Sequence, residues 1–182
     1  NEAERWCLDS PFNQLKTRIF DAPKVPIPNS WVHKYRDKIS TQASFGNILH
    51  DLSRGNSALA SRIITTSPDV SVSTNLGPWV NQRGVFSLDV RNDVFRDEKV
   101  ASAQKWLRHG GGQHMELGIA ESNLFTMLAA LGLSGPIFGT RLLPVGTLYD
   151  PFIARGLDAL NYACYQDARF MLVATPAGIT LA

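Results

Sequence analysis

Hydrophobic spacing divides the chain into elements before any chemistry is considered. After Ser40, a residue suited to cap a helix, Phe45, Ile48, Leu49 and Leu52 recur at helical spacing and stop near Gly55. The β-branched run "RIITTSPDV" predicts a strand with Asp69 at or just beyond its carboxyl end. "HMELGIAESNLFTMLAALGL" predicts a short strand, a break at Gly118 and a helix from about Ile119. "IFGTRLLPVGTLY" predicts another strand. Asp150 and Pro151 then form an N-cap and N1 pair opening a helix with Ile153, Leu157, Leu160 and Cys164 along one face. "RFMLVAT" predicts a buried closing strand. Residues 84–112 carry many charges and the run "HGGG", and predict only a loop-rich excursion. Upstream, Pro23, Pro26 and Pro28 suit neither a helix interior nor a central strand, so residues 1–39 are expected to be an extended tether and residues 40–182 the compact domain.

Strands alternating with helices predict an α/β fold, a three-layer sandwich with a mostly parallel sheet and helices on both faces. Such sheets bind ligands beyond the carboxyl ends of their strands. Asp69, Glu121 and residues 149–152 should gather at that edge.

Glu121 stands out within this pattern. At 100° per residue it shares a stripe with Leu124, Phe125, Leu128 and Leu131, the side of the helix that should face the core. An acid in the first helical turn also complements the helix dipole, so its position alone does not separate a structural from a chemical role. Burial does separate them, because an unpaired carboxylate in an apolar site tends to hold a proton, which suits acid-base chemistry.

Composition narrows the classes. The 182 residues are 44% hydrophobic, enough for a packed core, and the formal net charge is +2 from 18 basic and 16 acidic side chains. There is no basic run of the kind that marks nucleic-acid or membrane-surface binding, and no apolar run near the ~18 residues of a membrane span. Neither nucleic acid nor membrane is expected as a partner. Cys7 and Cys164 are far apart and form no CxxC, which fits a reducing, cytoplasmic compartment better than a disulfide framework.

Several motifs lead nowhere. "HGGG" is similar to the oxyanion segment of esterases, but the chain has no GxSxG nucleophile, and a glycine hinge explains the run more simply. His109 and His114 lack the further ligands a zinc site needs, so no metal site is expected here. No glycine-rich phosphate loop of either common kind is present.

Taken together, "STQASFGNIL", "TTSPDVSVSTNLGPWV", "GQHMELGIAESNL", "RLLPVGTLYDPFIARGLDALNYA" and "FMLVATPAGITLA" resemble the pyrimidine-binding domain of the transketolase-like thiamine diphosphate enzymes, most closely that of homodimeric pyruvate dehydrogenase. The resemblance runs in order from about Ser40 to Ala182. It implies the pyrimidine type of the thiamine diphosphate-binding fold. It also implies a catalytic role for Glu121 of "GIAES", which would share a proton with N1′ of the cofactor's aminopyrimidine and so activate the cofactor. Asp69 of "SPDV" matches an aspartate at the cofactor in transketolases; a turn-forming Asp after proline is the structural alternative. An aromatic ring stacks on the aminopyrimidine in that family, and either Tyr149 or Phe152 of "LYDPF" matches the segment; each is also a reasonable core aromatic.

The family holds the diphosphate and its Mg²⁺ on a second domain carrying GDG and an asparagine pair, and this sequence contains neither. The resemblance therefore implies one part of a larger decarboxylating oxidoreductase or ketol transferase, partnered by a diphosphate-binding domain or subunit, inactive alone and a homodimer when complete. The other class is a stand-alone relative that has lost catalysis and serves as an interaction module. Retention of Glu121 discriminates, since a chain freed from catalysis has little reason to keep a costly carboxylate on an apolar stripe.

Overall fold

The computed structural model describes residues 20–30, 34, 38–55, 57–89, 97–101 and 104–175. The stretch 1–19 and the end "PAGITLA" lie outside the described residues.

Helix α1 (Thr41–Ser53) begins where the sequence places it, with Ser40 Oγ accepting from the Ala43 N–H at 3.1 Å. Strand β1 (Ile63–Ser67) comes next, then helix α2 (Gly77–Arg83) and strand β2 (Val85–Phe86). Strands β3 (Arg108–His109) and β4 (His114–Glu116) lead through a short loop into helix α3 (Glu121–Gly132). Helix α4 (Ser134–Phe138), strand β5 (Leu143–Tyr149), a 3-10 segment (Asp150–Gly156), helix α5 (Leu157–Tyr165) and strand β6 (Met171–Thr175) complete the order.

All six strands are parallel, in the order β3-β2-β4-β1-β5-β6. The alternation of strand side chains supplies each face with its own core. Leu49, Leu76, Trp79 and Val80 pack with Ile63, Val85 and Val145 on one side. Leu124, Phe125 and Leu128 pack with Leu148 on the other, joined by Leu160 of α5. Val145 and Leu148 are an odd number of residues apart on β5, so one strand serves both layers. The architecture is thus an α/β three-layer sandwich.

Several local expectations are revised. Residues 84–112 contribute β2 and β3 to the sheet; these strands have only two residues each and give no periodicity to read. Ile137 and Phe138 end a helix instead of opening a strand. The helix expected from Asp150 starts as a 3-10 turn, which shifts the phase of the later turns, so Leu157 is 47% exposed and Cys164 is exposed while Gly156 and Ala163 are buried. Strand β6 lies at the sheet edge and is only partly buried. Upstream, Ala22 is buried and the Phe20 N–H donates to the Pro136 carbonyl at 3.0 Å, so this part of the stretch before residue 40 is fixed against α4. Among the described residues no helix is long and apolar enough to cross a membrane.

Candidate functional site

The carboxyl edge of β4, β1 and β5 carries the site. Cα pairing of Ser67 with Glu116 and of Thr66 with Gly146 sets the three strands in register, so the turns after them leave the sheet side by side. Gly118 turns the chain between β4 and α3 with φ +67°, a conformation that favours glycine. That turn aims the first residue of α3, Glu121, inward. It is 8% exposed, on the stripe with Leu124, Phe125 and Leu128 that the periodicity marked.

Burial is as expected, but isolation is not. Arg155, from the 3-10 segment after β5, donates through Nη1 to both Glu121 oxygens at 3.2 Å. Its guanidinium also lies 4.2 Å from the centre of the Phe152 ring, and its side chain is 55% exposed. A half-exposed cation thus covers a buried carboxylate and an aromatic face together. Arg155 is three residues after Phe152, the spacing that brings side chains together on a tight helical turn. Without the 3-10 turn the sequence offers no reason to pair it with Glu121.

Tyr149 and Phe152 are neighbours, with ring centroids 6.2 Å apart at 54°. The Tyr149 hydroxyl donates to Ser73 Oγ at 2.6 Å, which connects the aromatic pair to the turn after β1. Beneath it, the buried hydroxyls of Thr74 and Thr147 bond at 2.9 Å and tie that turn to β5.

Asp69 lies two residues beyond β1 at φ +62°. With Ser71, Ser73, Trp106 and Glu116 it lines a cleft of about 370 Å³. Its backbone N–H donates to Glu116 Oε1 at 2.8 Å, and Ser71 Oγ donates to Glu116 Oε2 at 2.7 Å. Burial pushes the Glu116 carboxyl up, but bonds from His114, Ser71 and the Asp69 N–H outweigh it and hold the group below its ordinary range. Behind it His114 is fully buried, with Nδ1 2.9 Å from Thr65 Oγ1 and Nε2 3.0 Å from Ser71 Oγ. Both ring nitrogens are therefore engaged within the fold.

The structure thus brings Glu121 and Phe152 together through Arg155, and Tyr149 and Asp69 to one turn through Ser73. No hydrogen bond joins Asp69 to Glu121. Sequence reasoning missed Glu116, Ser71 and Arg155. The alternation of His114 and Glu116 on one face of β4 was the only available signal for the first. Among the described residues no group of three or more His, Cys, Asp or Glu side chains could hold a metal ion. The glycines after His109 form a tight turn, and a Cβ on Gly112 would come within 2.2 Å of the Val85 backbone, so close approach of two strands explains that residue.

The arrangement offers a buried acid beside an aromatic face that is reachable once a flexible cation moves. No family model matches the chain, and neither does any curated protein.

Proposed function

We propose that the chain is the pyrimidine-side half of a thiamine diphosphate site, belonging to a larger enzyme that decarboxylates a 2-oxo acid or transfers a ketol unit. The observation that carries this reading is Glu121, an acid more than nine-tenths buried at the carboxyl edge of a parallel sheet, sharing one planar nitrogen donor with the face of Phe152.

The residues fit the pyrimidine half. Arg155 is itself a flat, nitrogen-rich donor bonded to the carboxylate and laid over the ring, so a planar group with a ring N–H satisfies the same two partners in its place. They do not supply the phosphate half, since the described residues hold no metal-binding cluster and the sequence has no GDG. When bound, thiamine diphosphate supplies an electron sink for cleaving the bond beside a carbonyl. Glu121 would contribute a buried carboxyl oxygen to hydrogen-bond the bound ring. Phe152, or Tyr149 beside it, contributes the stacking surface, and Asp69 a carboxylate at the neighbouring turn. Val72 and Ile119, 54% and 81% exposed at the same edge, leave apolar surface suited to a diphosphate-binding domain.

The test is titration of the chain with thiamine diphosphate and Mg²⁺, monitored by NMR and calorimetry. A ring stack worth about 0.5 to 1.5 kcal/mol and a charge-assisted bond worth about 1.5 to 3 sum to at most about 4.5 kcal/mol, close to the ~4 kcal/mol of a millimolar complex. Shifts should centre on residues 119–125 and 149–155 and vanish in Glu121→Gln and Phe152→Ala. In the assembled enzyme Glu121→Gln should fold normally and lose about 10² to 10⁴ of its activity. No response at millimolar ligand would sink the reading in favour of an interaction module. Micromolar binding would show a phosphate site in the chain itself.

A further inference from the structure

The turn that carries Asp69 is held only in part by its own sequence, through the Val70 carbonyl, which accepts from the Ser73 and Thr74 hydroxyls at 3.1 and 2.8 Å. A non-glycine residue at φ +62° is in a sparsely populated conformation that persists only where neighbours enforce it. Two groups do so. Ser67 Oγ accepts from the Val70 N–H at 3.2 Å, a local bond of the kind that shapes many turns. The other is remote in sequence: Glu116, at the end of β4, takes the Asp69 N–H on one oxygen and the Ser71 hydroxyl on the other. One carboxylate therefore spans both sides of Val70.

Glu116 is in turn oriented from behind. His114 Nε2 stands 3.3 Å from Oε2 and 3.0 Å from Ser71 Oγ, while Nδ1 meets Thr65 Oγ1 at 2.9 Å. With Ser71 donating to Glu116, its oxygen can accept from an Nε2–H, while the Thr65 hydroxyl lies 2.9 Å from Nδ1 and 3.4 Å from the Gln113 carbonyl. The arrangement is not a hydrolytic triad, because the acid lies on the same ring nitrogen as the serine and Ser71 is itself buried.

We propose that Glu116 is the positioning residue of the candidate site: it fixes Asp69 in its left-handed conformation at the wall of the cleft, with His114 and Ser71 setting the direction of its carboxylate. The inference rests on the cofactor reading only for what Asp69 is positioned to do; the positioning itself is a property of this chain.

The experiment separates the two. In the 182-residue chain, Glu116→Ala should speed solvent exchange of the Asp69 amide about tenfold or more and change its φ-sensitive three-bond coupling, with the amides of β1 unaffected. Glu116→Gln keeps an oxygen for the Asp69 N–H and should restore both toward wild type. With thiamine diphosphate and Mg²⁺ as probe, Glu116→Ala should weaken the response of residues 69–73 several-fold more than Glu116→Gln does. Unchanged exchange and coupling at Asp69 in Glu116→Ala overturn the proposal whatever the probe does. If wild type ignores the probe while Glu116→Ala frees Asp69, the cofactor reading fails and the positioning role stands. Should Glu116→Ala not fold, Ser71→Ala removes one of the donors orienting the carboxylate; faster Asp69 exchange supports the proposal and unchanged exchange refutes it.

Discussion

Replacing Glu121 by leucine asks whether the buried acid serves the fold or a site. Three contributions oppose one another. The ion pair with Arg155 is lost, but that partner is 55% exposed and can return to water, so solvent screening limits its worth to about 0 to 1 kcal/mol. The favourable position of an acid in the first turn of α3 is lost as well, about 0.3 to 1 kcal/mol. Against these, leucine joins Leu124, Phe125 and Leu128 on a stripe where the residue is only 8% exposed, and burying its side chain contributes about 1.5 to 3 kcal/mol. The balance favours the variant by about 1 kcal/mol. For a chain of this size that corresponds to a melting temperature higher by about 2 to 4 °C. Thermal and urea unfolding of wild type and Glu121→Leu, with Arg155→Ala and the double variant completing the cycle, measure it directly. A melting temperature lowered by more than a few degrees would refute the reasoning, because Glu121 would then be a structural residue whose placement needs no functional explanation.

Packing and electrostatics give two further outcomes. A Cβ on Gly156 would fall 1.9 Å from Phe125 Cδ2, so Gly156→Ala should cost at least about 1 to 3 kcal/mol by overpacking, and a variant of wild-type stability would show that α3 and the 3-10 segment are not in close contact. Glu116 is held below its ordinary range in the fold, so its contribution is present above the unfolded carboxyl value of about 4.3 and is lost as pH falls through the lower folded value. Urea unfolding between about pH 6 and 3 should lose stability less steeply in Glu116→Gln than in wild type, and parallel curves would count against the bonds assigned to that carboxylate.

The sequence by itself determined the elements whose signal is local and repeated. Ser40 caps α1, the stripe of α3 names its buried face including Glu121, and the break at Gly118 falls where a left-handed turn is required. Alternation of strands and helices was enough for a parallel α/β sandwich, and hence for placing Asp69, Glu121 and residues 149–152 at one edge. Tertiary structure alone decided who meets whom there. The two-residue strands β2 and β3 exist because neighbouring strands pair with them, since no local period of that length can specify a strand. The 3-10 turn after Tyr149 rotates Arg155 onto Glu121 and Phe152, a change of phase that the spacing of Ile153, Leu157 and Leu160 does not encode. Glu116 reaches Asp69 across 47 residues because β4 and β1 are adjacent and in register, and periodicity reports which way a side chain faces but not which strand lies beside it.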